Sequence, residues 1–217
     1  MCASPASDRV LHTAASLFYK RGIHAVGVDT VVSASAVAKM TLYKHFPSKD
    51  ALVAAALDEQ GTQWRAWFSA AVEAVAPTAP ERILAIFDVL GHWFETEGFH
   101  GDATLNAAVE LRGTEHPAWE VVRAHQGWLR GFIGGLVAEA GLDEPECTAD
   151  ALYLLMEGAI VGAQVGITAH PAAAARCAAG VLVEVRSVAH RPPREAGHGK
   201  ARGQGQRQGQ EQEEVGQ

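Results

Sequence analysis

Residues 37–49 constrain this chain more than any other stretch. They run Val37, Ala38, Lys39, Met40, Thr41, Leu42, Tyr43, Lys44, His45, Phe46, Pro47, Ser48, Lys49. That is a short helical segment of about two to three turns, stopped by a proline. Leu42 and Phe46 fall four apart and share one helical face. The other faces are left to Lys39, Thr41, Tyr43, Lys44 and His45. A core helix does not place so many donors in so few residues. A helix lying on a phosphate backbone does, because lysine neutralises charge while Thr, Tyr and His hydrogen-bond to phosphate oxygens and base edges.

The preceding residues give this segment a partner. Residues 27–34 read as a short helix with Val28, Val31 and Val32 inward at i, i+3, i+4 spacing. Ser35 and Ala36 separate it from the basic helix. Two short helices joined by a tight turn make a helix-turn-helix, whose second helix enters the major groove. Upstream, Val10, Ala14, Leu17 and Phe18 mark a first helix, closed by Lys20, Arg21 and Gly22. Three helices therefore occupy residues 7–46.

Residues 9–53 resemble the DNA-binding domain of the TetR/AcrR family of bacterial repressors. The resemblance rests on Ala14–Phe18, Gly22–Ile23, Val37–Phe46 and Ser48–Leu52, with Leu42, Tyr43, His45, Phe46, Ser48 and Lys49 as its most specific part. It implies an all-α fold of about nine helices: a three-helix DNA-binding domain, then a helical ligand-binding and dimerisation domain. It implies a transcriptional regulator, a homodimeric repressor released from its double-stranded DNA operator by a small, mostly apolar effector, and not an enzyme. The DNA-facing set is Gly27, Ala38, Lys39, Met40, Thr41, Tyr43, Lys44, His45 and Lys49. Lys39, Tyr43, His45 and Lys49 would hold phosphates, and Thr41 and Lys44 would reach base edges. The chain departs from the family pattern at Ala36, where a turn glycine is usual, at Val26 and Thr30, and at Ala38 and Met40.

The net charge of −7 looks wrong for a DNA binder until it is divided along the chain. Residues 1–50 carry six Lys/Arg against three acidic residues, residues 51–189 seven against eighteen, and residues 190–217 five against four. A basic reading head thus sits on an acidic body, and the local field at the groove is what matters. Cys2, Cys147 and Cys177 are odd in number and far apart, which suits a reducing cytoplasm rather than a disulfide framework. The first residues lack the charged and apolar regions of a signal peptide. The longest apolar run, residues 151–167, is interrupted by Glu157 and Gln164, so it reads as a buried helix and not a membrane span.

Three regions follow: a helix-turn-helix domain over 1–47, an effector-binding and dimerisation domain over 48–189, and a disordered tail over 190–217. The Gly/Gln/Arg-rich tail has no aromatic residue, and its Arg194, Lys200, Arg202 and Arg207 read as solvated. In the body, helices are expected from Ser48 to near Pro77, from the Thr78–Glu81 capping pattern to Gly98, over about 103–111, from Pro117 to Gly141, from Pro145 to near Gly166, and from Pro171 to about Ala189.

All five tryptophans lie in the body. Trp64, Phe68, Phe87, Phe94, Trp128 and Phe132 are the candidate walls of an effector pocket, with plain core packing as the alternative. The last two helices carry small apolar faces. Leu152, Leu155, Met156, Ala159, Ile160 and Ala163 on one, with Ala178, Val181, Leu182 and Val185 on the other, are the candidate dimer interface, since the resemblance implies that these two helices pack against their twofold mates; a purely intramolecular core is the alternative. His92, His100, His116 and His125 show no tight ligand spacing, so no metal is expected, nor any other cofactor. No nucleophile–base pair or phosphate loop stands out, and no catalytic residue is assigned. Two other readings fit the sequence: an all-helical enzyme or small-molecule binding protein whose first helices only mimic a reading head, and a regulator without a ligand.

Overall fold

The computed structural model describes residues 5–188; the proposed tail over 190–217 and Cys2 lie outside them. Nine α-helices and no strand are present among the described residues. They are α1 (Pro5–Arg21), α2 (Val28–Ser35), α3 (Lys39–His45), α4 (Lys49–Val75), α5 (Ala79–Phe94), α6 (Ala103–Glu110), α7 (Ala118–Glu139), α8 (Pro145–Val165) and α9 (Pro171–Val188). The recognition helix is about two turns long, because Ala38 and Phe46 both adopt extended backbone and cap it.

Local chemistry sets most of the boundaries. Gly22 closes α1 at φ 86°, with its N–H donating to the Phe18 carbonyl. Ser48 Oγ accepts from the Ala51 N–H and starts α4. Thr78 and Glu81 form a reciprocal capping box at α5. The Asp102 carboxylate caps α6 by accepting from the Thr104 and Leu105 N–H groups. Ala36 ends α2 at φ 52°, ψ 36°, a left-handed conformation that costs a residue with a Cβ about 1 kcal/mol relative to glycine.

Two hydrophobic cores result, and α4 runs through both. The first collects Val10, Ala14 and Phe18 of α1, Val31 of α2, and Leu42 and Phe46 around α3. It continues past Pro47 into Leu52, Val53, Ala56 and Leu57 of α4, and takes Ala107 from α6 and Val122 from α7. The second gathers Phe68 and Val72 of α4 with the inward faces of α5, α7, α8 and α9. Each fully buried Leu, Ile or Phe in these cores contributes about 1.5–3 kcal/mol against its exposed state. The 27-residue α4 is about 40 Å long and is therefore a rigid beam from reading head to body. None of the described helices is long and apolar enough to cross a membrane.

Candidate nucleic-acid interface and body cavity

The short helix α3 docks through one stripe. Leu42 and Phe46 are buried in the head core, and Val37 seals its start. Lys39, Met40, Tyr43, Lys44 and His45 consequently face outward, with Met40 87% and Tyr43 42% exposed, and Thr41 is half-buried. Ala38 and Gly27, the N-cap positions of α3 and α2, are exposed on the same part of the head. Two lysines have partners inside the protein. Lys39 Nζ lies 2.7 Å from Asp29 Oδ1, and that hydrogen bond pushes its pKa above the ordinary value. Lys49 Nζ donates to the Ile23 carbonyl at 2.7 Å, so it braces the loop before α2. Val26, where the family pattern has a polar residue, is wholly buried in the head core.

The head is clasped to the body by a second set of bonds. The Glu110 carboxylate accepts from the Ile23 N–H at 3.1 Å and from the His24 N–H at 3.0 Å. His24 Nε2 returns to the Glu110 carbonyl at 2.8 Å. Higher up, the Tyr19 hydroxyl donates to the Gly101 carbonyl at 3.0 Å and accepts from the His100 N–H at 2.9 Å. Gly101 sits at φ 87°, where a Cβ would collide with Gln164. Sequence reasoning gave no sign of these pairs, because the partners are more than 80 residues apart.

A cavity of about 210 Å³ lies where the two cores meet. Tyr19 comes to it from the head, Trp64 from α4, Trp93 from α5, Phe99 and Asp102 from the α5–α6 connection, and His125 from α7. Of the six expected pocket residues only Trp64 lines it. Phe68 stacks on Trp64 at 4.5 Å and is fully buried, Phe132 packs edge-on against Phe68, and Trp128 stacks on Phe132 at 5.3 Å. These four form one aromatic chain through the body. Phe87 and Phe94 border a separate, open depression beside α9.

The cavity floor is polar. Asp102 and His125 are almost completely buried, with His125 Nε2 3.3 Å from Asp102 Oδ2 but off line for a hydrogen bond. Burial pushes the Asp102 carboxyl up, yet His125 beside it and the donors from Thr104 and Leu105 outweigh this and hold it below its usual range. Arg65 Nη1 donates to His125 Nδ1 at 3.1 Å. From Asp102 the bonds continue through Thr104 Oγ1 and Gln126 to the Tyr153 hydroxyl on α8. Nearby Glu157 is half-buried with both carboxylate oxygens sealed and without a hydrogen-bond partner, and burial followed by the Asp102 charge raises its pKa to about 7. Among the described residues no group of three His, Cys, Asp or Glu side chains could hold a metal ion.

The outer face of α8 and α9 is the third notable surface. The structure corrects the face expected on α8: Leu152, Met156, Ala159 and Ile160 are buried in the protein's own core, and Leu155 and Ala163 are half-buried. The open side instead presents Leu154, 66% exposed, and Val161. On α9, Ala178, Val181 and Val185 are exposed and Leu182 half-buried. Together with Ala151, Leu154 and Leu155 these four line an apolar groove.

Residues 10–56 match the profile of bacterial regulatory proteins of the tetR family. Over 73 residues the chain is 30% identical to the HTH-type transcriptional regulator UidR of Escherichia coli K12, a match covering 34% of this chain and 37% of that protein. The fold is similar to SCO4454, a TetR-family transcriptional regulator from Streptomyces coelicolor, with a TM-score of 0.77 at 29% identity over 86% of this chain and 92% of that one. It is also similar to a TetR transcriptional regulator from Chloroflexus aurantiacus, with a TM-score of 0.72 at 28% identity over 82% and 94% of the two chains. These relatives are transcriptional regulators and not enzymes.

Proposed function

Because the chain belongs to the TetR family, we propose that it is a cytoplasmic, homodimeric DNA-binding repressor that leaves its operator when a small effector enters the helical body. The observation that carries the reading is the outward face of α3. Its two apolar residues are spent on docking, and Lys39, Thr41, Tyr43, Lys44 and His45 remain for DNA. Gly27, Ala38, Met40 and Lys49 flank that face. Met40 supplies an exposed apolar tip of the kind that meets a thymine methyl group. Lys49 acts by bracing the loop, and Lys39 exchanges Asp29 for a phosphate on binding.

The open α8–α9 groove supports a twofold contact: Leu154, Leu155, Ala178, Val181, Leu182 and Val185 are apolar on an otherwise acidic body. Two heads would then reach successive major grooves, centres about 34–36 Å apart or wider. Residues 1–47 read DNA and 48–189 sense and dimerise. Effector response is supported by the position of the cavity. Tyr19 belongs to both the cavity wall and α1, and α6 begins at the cavity and ends at Glu110, which holds the loop before α2. An occupant that moves residues 98–102 therefore shifts the head, and two heads whose separation changes cannot engage together.

The test is a gel shift on DNA upstream of the chain's own gene. Wild-type protein is expected to bind specifically, and Tyr43→Ala with Lys44→Ala to lose about 30-fold or more with the melting temperature unchanged. Specific binding that survives the double substitution would remove α3 from the interface.

A further inference from the structure

We propose that the cavity between head and body is a site for a small organic cation, an ammonium group carried on a compact aromatic or alkyl group; this rests on the effector reading above. The walls are aromatic. Trp93 stands edge-on to Trp64 at 5.2 Å and to Phe99 at 5.0 Å, and Tyr19 completes the ring from the head side. Aromatic walls attract a cation through the ring quadrupole, most strongly when water is excluded. The lining holds two carboxylates and no lysine or arginine: Asp102, buried and held below the usual carboxylate range, and Glu97, exposed at the rim. The nearby Arg65 guanidinium is engaged by His125 Nδ1 and Thr62 Oγ1.

Two details narrow the class. Asp102 Oδ1 already accepts from the Thr104 N–H, the Thr104 hydroxyl and the Leu105 N–H. Its other oxygen, Oδ2, has only His125 Nε2 at 3.3 Å, off line for a hydrogen bond, so the carboxylate keeps both an acceptor and a negative field for a bound cation. The unpartnered ring nitrogens, Trp64 Nε1 and His125 Nε2, are sealed from solvent and so do not present themselves to the cavity as an anion site. The volume limits the occupant to a small molecule.

The full-length protein is titrated with three benzyl probes: benzyltrimethylammonium, its neutral carbon isostere neopentylbenzene, and the anion phenylacetate. Tryptophan fluorescence and melting temperature report binding, and a labelled operator duplex reports release. The cation is expected to bind at least about tenfold more tightly than the neutral isostere, and phenylacetate not to bind. Glu97→Gln is expected to weaken the cation about threefold, and Trp93→Leu about tenfold or more. If Trp93→Leu does not fold, Glu97→Gln and the isostere ratio decide. Equal affinity for the cation and the isostere, tighter phenylacetate, or no binding by any probe overturns the cation site. Any probe that binds and releases DNA keeps the effector reading even then. A cation that binds as predicted but leaves the DNA complex intact keeps the site and overturns its role as the effector pocket.

Discussion

The outer face of α3 and the outer face of α8 are both exposed helical surfaces, and they were not equally readable. In α3 the contrast between stripe and surround is large: Leu42 and Phe46 are apolar, and nearly everything else is a donor or a charge. Only one rotation of the helix buries the apolar pair, so its orientation follows from spacing alone. In α8 there is no such contrast. Leu152, Leu154, Leu155, Met156, Ala159, Ile160 and Val161 surround the helix almost completely. Its rotation is decided by α7 and α9, which bury Leu152, Met156, Ala159 and Ile160 and leave Leu154 and Val161 outside. An all-round apolar helix announces that it is covered on two sides and does not say by what.

Substitutions on the two sides of α8 should separate the two coverings. Leu154→Glu with Val181→Glu is expected to leave the fold intact, give a monomer by light scattering, and lose about 100-fold or more in operator affinity, because the second head no longer binds as part of one molecule. A dimer that survives both charges would show that the groove is not the contact. Leu152→Ala, on the inner side, is expected to cost about 2–5 kcal/mol in denaturant melts through its cavity. It should not dissociate the folded dimer.

Glu157, on the same helix, tests the acidic interior. Its carboxyl is raised to about 7 in the folded chain, above its unfolded value, so the folded state holds the proton more tightly. Stability is therefore greatest below the ordinary carboxylate range and falls as pH rises towards 7. Glu157→Gln is expected to flatten that fall and to be more stable than wild type at pH 8 by about 1–3 kcal/mol. Parallel melts at pH 5 and pH 8 check the sign, and a wild type that gains stability towards pH 8 relative to the variant refutes it. The smallest expected effect is back in the head. Ala36→Gly relieves the left-handed backbone before α3 and should raise stability by about 1 kcal/mol, read by melting temperature.

How much was legible follows from the same contrast. Helix ends carried by Ser48, Thr78–Glu81, Pro145 and Pro171 lie where their side-chain chemistry puts them, because a cap is a local event. The left-handed residue at Ala36 was also visible, as an alanine in a glycine's place. The cavity was not. Its walls come from residues 19, 64, 93, 99, 102 and 125, and no local pattern links Tyr19 of the head to Trp93 of the body. Of the aromatic residues expected in the pocket, Phe68, Trp128 and Phe132 instead form an aromatic chain that packs the core. The sequence pattern sets Lys49 on a phosphate and gives Glu110 no partner, yet each spends its charge on the Ile23–His24 backbone.

The central claim joins the two helical faces: α3 reads DNA, and the α8–α9 groove sets two copies of α3 side by side. Selection of bound sequences from a random duplex pool by the full-length protein tests both at once. The account predicts an inverted repeat whose half-site centres lie about 34–36 Å apart or wider, bound by two chains. A single asymmetric site bound by one chain, or no enriched sequence, would contradict it.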